Sequence, residues 1–380
     1  MNKLLPLFSL ILLAACGEKG GSESSEPGNL LENLTYSVDT LVVDPGNDLF
    51  NMGSGFRSQD LSEDGRRLFY FENRPLKLVE VDLENFKLIS KTEFEQEGPN
   101  GIGRFVLNLE IGPSDQVYAM GVGDVALFDK NGEKLESLKT KPTGIDANLA
   151  EDFFSLYGNA MYDFKAKQFF SWPSTETSEG SNLYRIDVAS ETAEKIPAPE
   201  MGIIDRYTIT VSENGNTMSF PPTVDIVSHE GKVLISCSAM SSIYSFDKES
   251  NSMQFIEVNH QVVPNILTGE VKNNVSSEKE FSEEISKVLS QISYMKPEWD
   301  STRNLFLRLG MKTFSGESRD DPETYEYYLF AYDKDFNVVG ETKIEGMKKH
   351  LPIHFFKDGK LWAYVNVEDE LGFAVFTFDF

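Results

Sequence analysis

The chain ends on GFAVFTFDF, residues 372–380, where Phe373, Val375, Phe376 and Phe378 put apolar side chains on both faces of one strand. Such a strand has to be covered on both faces and paired along both edges. No residue follows that could form its next neighbour, so the missing strand must come from elsewhere in the chain.

The same pattern recurs upstream: four mostly apolar residues, an aspartate, a polar turn and a further strand. It reads LVEVDLENFKLI around Asp82, VALFDKNGEKLESL around Asp129 and LYRIDVASETAEKI around Asp187. It reads IYSFDKESNSMQFI around Asp247, LFAYDKDFNVVGET around Asp333 and VFTFDF around Asp379. Aspartate and asparagine at such turns bond their own backbone, and glycine supplies positive φ, so each copy reads as a hairpin. A second hairpin precedes each copy: LSEDGRRLFYF, GPSDQVYAMG, DFKAKQFFSW, VSHEGKVLISC, WDSTRNLFLRL and FFKDGKLWAYV. Four strands per unit at this spacing are the pattern of β-propeller blades.

The marker aspartates are 47, 58, 60, 86 and 46 residues apart. The long interval contains SSEKEFSEEISKVLSQISYM, residues 276–295, in which Phe281, Ile285, Val288, Leu289 and Ile292 share one helical face. Ser277 with Glu280 three residues on reads as a capping box. Treated as an inserted helix, this segment leaves six units. The last unit lacks its fourth strand, and LTYSVDTLVV, residues 34–43, has no hairpin partner. The expectation is therefore an all-β, six-bladed propeller of four-stranded blades over residues 33–380. The N-terminal strand completes the last blade and closes the ring.

Ahead of the domain, MNKLLPLFSLILLAAC has one early cation, Lys3, and an apolar run too short to span a bilayer. It reads as a secretory leader over residues 1–15. Leu13-Ala14-Ala15-Cys16 has the form of a lipobox, which makes Cys16 the lipidated first residue of the mature chain. Each buried acyl methylene contributes about 0.8 kcal/mol, so several chains would anchor it durably. Residues 16–32, rich in Gly, Ser and Glu, read as a flexible tether. The location implied is the outer membrane of the cell envelope, facing the periplasm or the outside.

The formal net charge is −26, which excludes nucleic acid as a partner and disfavours a basic membrane patch. Cys237 is the sole cysteine besides Cys16, so no intramolecular disulfide is expected, and in KVLISCS it reads as a buried apolar residue.

The lipobox together with ENLTYSVDTLVVDPG, DLSEDGRRLFYF and above all FEQEGPNGIG (residues 94–103) resembles a family of bacterial lipoproteins, domain-of-unknown-function family 4221. The resemblance spans essentially the mature chain. It implies a propeller and an envelope location, and no activity or catalytic residues.

Three motifs invite sharper readings. EGPNGIG is glycine-rich, but a strand, RFVLNLEIG, follows it where a phosphate loop needs a helix. DKNGE and DKDFN have calcium-like spacing, but they recur at the same hairpin turn. HLPIH holds His350 and His354 at a metal-binding interval for a helix, but Pro352 breaks that helix.

The function expected is a binding module for an envelope protein or glycan, acting as a monomer with no cofactor. The loops joining fourth to first strands and second to third strands lie at one end of a propeller. They collect Asn100, Asp146, Asp205, Arg206, His260, His350 and His354 as the candidate ligand-binding face, together with Arg319, Asp320 and Asp321. The alternative is a lactonase-like hydrolase with a divalent metal in the central channel, for which Asn108, Glu110, Asn159 and Asp163 are the channel candidates.

Overall fold

Each repeat unit read from the sequence is one antiparallel sheet in the computed structural model, which describes residues 28–51, 58–121, 124–139, 142–146, 158–173, 181–213, 215–316, 321–351 and 353–380. The leader, Cys16, most of the tether, Arg319 and Asp320 lie outside the described residues.

The first sheet is Gln59–Leu61, Arg67–Asn73, Leu76–Asp82 and Lys87–Glu93. The second is Val106–Ile111, Val117–Gly121, Val125–Phe128 and Lys134–Ser137. The third is Gly158–Asp163, Gln168–Pro173, Asn182–Asp187 and Thr192–Pro197. The fourth is Val224–His229, Lys232–Cys237, Ile243–Asp247 and Ser252–Ile256. The fifth is Ser293–Asp300, Leu305–Phe314, Thr324–Tyr332 and Val338–Ile344. The sixth is His354–Lys357, Lys360–Val367 and Glu370–Asp379, with Thr35–Val42 as its fourth strand.

That last pairing resolves the chain's ending. Thr35 lies opposite Asp379, Tyr36 opposite Phe378, and the antiparallel register runs unbroken to Val42 opposite Gly372. Of the terminal strand, Phe373 and Val375 enter an apolar cluster with Leu68, Tyr70 and Val79 of the first sheet. Phe376 and Phe378 enter another with Leu307, Leu309 and Leu329 of the fifth. The same division holds elsewhere. Phe69 and Phe71 pack on Leu109 and Val117 of the second sheet, while Leu68 and Tyr70 face the sixth. Tyr118 and Met120 meet Tyr162 and Phe169, and Phe170 and Leu183 meet Val233 and Ile235. Leu234 and Ile243 meet Phe306 and Phe330. A strand with apolar side chains on both faces is thus sandwiched between two neighbouring sheets.

The marker aspartates do what their turns require. Asp129 Oδ1 accepts the N–H groups of Asn131 and Glu133, and Asp333 Oδ1 those of Asp335 and Asn337. Gly132 has φ +86° in the first of these turns, which explains the glycine of DKNGE. The EGPNGIG loop joins the first sheet to the second. A Cβ on Gly121 would stand 1.8 Å from the Ile102 carbonyl oxygen, so the loop lies directly on that strand.

Three local expectations need revision. The inserted helix spans Glu278–Leu289 only, with Ser277 accepting from the Glu280 N–H as its cap. Residues 293–295 instead begin the fifth sheet, because Ile292 and Tyr294 are drawn into the core between the fourth and fifth sheets. A small sheet went unread: Ile209–Glu213 pairs antiparallel with Asn216–Phe220 and parallel with Asn274–Val275, and the helix packs beside it. The end of the expected tether is docked. Asn29 exchanges two hydrogen bonds with the Glu341 backbone, at 2.9 Å each, and Leu31 is fully buried against the fifth and sixth sheets.

Deleting Thr35–Val42 should leave the edge of Glu370–Asp379 bare and uncover Phe376 and Phe378. The loss should exceed the ~5–15 kcal/mol that holds a typical domain together. The expected outcome is an aggregated or molten protein by size-exclusion chromatography and near-UV circular dichroism. A cooperative melt at the parent temperature would contradict the pairing's importance.

Candidate functional site

The first strands of the sheets alternate between core and interior, and their interior positions carry polar residues. Together they line a cavity of about 790 Å³. Gln59 and Asp60 come from the first sheet, Asn108 and Glu110 from the second, Asn159 and Asp163 from the third, Asp225 from the fourth and Lys296 from the fifth. The lining runs into the turns joining first to second strands, at Glu63, Pro113 and Lys165. That is the end of the sheets opposite the loop face expected to bind.

The carboxylates here hold the next sheet in place. Asp60 Oδ2 accepts the Ile111 N–H at 2.7 Å and Glu110 Oε2 the Tyr162 N–H at 3.0 Å. Glu298 Oε2 accepts the Phe356 N–H at 3.1 Å, and Asn108 Nδ2 donates to the Ala160 carbonyl at 2.9 Å. In each case an interior side chain from one first strand satisfies backbone on the next. Such a strand has a free edge, and a buried unpaired N–H is costly.

Burial dominates the electrostatics. It pushes the Asp60 carboxyl up to about 6, against the hydrogen bonds from Ile111 and Leu61 and the attraction of Lys296. It pushes Glu110 well above the usual range, helped by the nearby charges of Asp60 and Asp163. Asp225 is also raised by burial, with Lys296 and Arg308 opposing. Lys296 is held more firmly charged, first by Glu298 and then by Asp225 and Asp60. Its side chain is nonetheless 44% exposed, because the interior is open to water. Asp163 is paired with Lys248 at 2.5 Å and lies below its ordinary value.

All four channel candidates line this cavity, but three of them are committed: Asn108 and Glu110 to backbone, Asp163 to Lys248. Among the described residues, no three His, Cys, Asp or Glu side chains are grouped to hold a metal. Asp60, Asp225, Lys296 and Glu298 escaped the sequence reading. Their signal was a charge interrupting the first strand of a unit, as in QDL, VDIVSH and YMKPEW.

The expected loop-face residues do not form one cluster. Asp205 and Arg206 are exposed on the short helix Ile203–Tyr207, and Arg206 reaches the Gly269 carbonyl at 3.4 Å. Asn100 is half-buried and accepts the Lys134 N–H, tying its loop down. Asp146 is half-buried just past the one-turn helix Pro142–Ile145. His350 is exposed and stacks on Tyr325 at 5.0 Å. His354 belongs to the first strand of the sixth sheet, where its Nδ1 is buried without a partner, facing Glu298 and Lys296.

His260 is not on the surface at all, so it cannot meet a partner there. Its side chain is fully buried, with Nδ1 2.9 Å from Glu341 Oε2 and Nε2 3.1 Å from the Tyr332 hydroxyl. Burial holds it below its ordinary value, and the ring packs on Phe330 and Tyr294. The neutral imidazole donates from Nδ1 to Glu341 and accepts from Tyr332. Cys237 is fully buried too, its thiol pushed up to about 11 by burial, which removes it as a nucleophile.

A pH test isolates Asp60. Its folded value exceeds its ordinary 3.8, so the folded state binds the extra proton between those values. The ionised carboxylate therefore costs stability above pH 6, and that cost vanishes below pH 4. Asp60→Asn keeps an acceptor for Ile111 and should be more stable than the parent at pH 8, by on the order of 2 kcal/mol. The advantage should disappear by about pH 4 in thermal melts across the range. An advantage independent of pH would contradict this origin.

The comparisons agree with the fold. A family model for the domain of unknown function DUF4221 matches residues 27–343. A member of that family from Bacteroides vulgatus superposes with a TM-score of 0.67 at 15% identity, covering 91% of this chain and 98% of its own. A protein of Bacteroides fragilis designated as exported gives 0.52 at 10% identity, covering 92% and 96%. No curated protein matches. With most of its length matched by the family model and its sheets matched by a family member, the chain belongs to the DUF4221 family.

Proposed function

We propose that this protein is a lipid-anchored binding module of the cell envelope, a six-bladed propeller closed by its two chain ends, whose ligand enters the central cavity. The observation that carries the reading is the cavity itself, 790 Å³ with a mixed polar lining drawn from five sheets. That volume falls within the range of small-molecule sites. The six four-stranded sheets, each sharing an apolar core with the next, support the closed ring, since the sixth shares one with both the fifth and the first. The leader and the Leu13-Ala14-Ala15-Cys16 motif support export and anchoring. Among the described residues no helix is long and apolar enough to cross a membrane.

Binding is favoured over hydrolysis because Asp60, Glu110 and Glu298 each commit one carboxylate oxygen to neighbouring backbone. A hydrolase would need such groups free to hold a metal or shuttle a proton. Asp205, Arg206 and His350 are exposed at the opposite end, where separate loops are open to an envelope protein.

Two measurements test this. Cys16→Ala should shift the protein from the membrane to the soluble fraction and abolish fatty-acid labelling. Native mass spectrometry of the protein purified from its own envelope should show a small-molecule adduct. Asn159→Trp fills the cavity from an exposed position and should remove it. An adduct that survives this substitution places the ligand elsewhere.

A further inference from the structure

The cavity's polar groups divide into those already satisfied and those left over, and the remainder has a particular chemistry. Asp60, Asn108 and Glu110 are bonded to backbone, and Asp163 to Lys248. Several lining groups are unspent among the described residues, Glu63, Lys165 and Ser228 among them, and four bear on the ligand's chemistry. Gln59 Oε1 is buried with no hydrogen-bond partner. Asn159 is exposed to the cavity and makes no hydrogen bond to a described residue. Asp225 is attracted by the charges of Lys296 and Arg308 and accepts no hydrogen bond from a described residue. Lys296 stands 3.8 Å from Glu298, beyond hydrogen-bond reach, so its N–H donors are free.

These four, from four of the sheets around one cavity, are acceptors and donors together: a carbonyl, an amide, a carboxylate and an ammonium. Their charges already oppose each other, Asp225 and Glu298 against Lys296. A cationic ligand would have to displace Lys296 from its carboxylates. An anionic one would have to sit among Asp60, Asp225 and Glu298. A hydroxyl group suits the remainder because it donates to Asp225 or Gln59 while accepting from Lys296 or Asn159. Leu107, 57% exposed and part of the lining, adds an apolar surface for C–H groups. We infer that the cavity binds a neutral, hydroxyl-rich molecule of mono- or disaccharide size through Gln59, Asn159, Asp225 and Lys296. This rests on the reading of the cavity as the ligand site.

The test is saturation-transfer NMR on the full mature protein, held in a detergent without a sugar headgroup. The saccharide probes are glucose, galactose, N-acetylglucosamine and cellobiose, with putrescine as a cationic and succinate as an anionic control. At least one saccharide should receive saturation. Its affinity should fall about tenfold or more in Asn159→Ala and in Asp225→Ala, as expected when one or two hydrogen bonds are lost. Arg206→Ala, at the far end, should leave it unchanged. Parallel melts show whether each variant is folded, and the exposed Asn159 site keeps the test valid if Asp225→Ala is not. Silence from every saccharide overturns the inference, as does a saccharide signal indifferent to both cavity variants. If putrescine or succinate binds instead and the cavity variants abolish it, the ligand class is wrong while the cavity remains the site. If no probe binds and the envelope-purified protein carries no adduct, both readings fall.

Discussion

The pairing of Thr35–Val42 with Glu370–Asp379 is the constraint on which the rest of the architecture depends. Each of the six four-stranded sheets is apolar on both faces, so none is stable unless flanked by two others. The sixth sheet is the one whose strands come from both ends of the chain, and it shares cores with the fifth and the first. Without its fourth strand it would present an open edge next to exposed aromatic side chains, a combination that invites aggregation. The docking of Asn29 and Leu31 on the fifth sheet extends the same clasp by a few residues. It also brings the tether's end against Glu341, whose side chain holds His260.

Arranging two-faced sheets side by side leaves their first strands with a bare edge on the inside. That edge cannot be paired by another strand, and its backbone groups still need partners. Asp60, Asn108, Glu110 and Glu298 supply them across successive sheets. The cost is visible in the acids themselves, since burial raises both Asp60 and Glu110. The interior polarity that looks like a catalytic constellation is thus largely structural. Outside that set, Gln59, Asn159, Asp225 and Lys296 are the mixed donors and acceptors proposed to meet a ligand.

The distinction between satisfied and unsatisfied groups also explains the fate of the histidines. His260 and His354 sit in loops and strands whose sequence suggested exposure, yet His260 is sealed between aromatic rings and His354 turns inward. A histidine in VNHQVVPN carries no local signal that Glu341 and Tyr332, 81 and 72 residues away, will enclose it. Arg206 and His350, by contrast, lie where their polar neighbourhoods suggested, at the surface.

Periodicity in the sequence determined the repeat: six marker aspartates, the hairpin before each, and an unpaired strand at each end of the chain. These are local properties, because side-chain alternation and turn chemistry act over a few residues. The helix cap at Ser277 was legible for the same reason. The extent of that helix was not, because Ile292 and Tyr294 answer to a core built with Phe306 and Phe330. The small sheet around Ile209–Glu213 was hidden because its third strand, Asn274–Val275, arrives from some sixty residues later. The cavity was hidden most completely. Whether Asp60 or Asp225 is spent on a neighbour or left for a ligand depends on which backbone N–H the adjacent sheet brings within about 3 Å. Only the tertiary arrangement decides that.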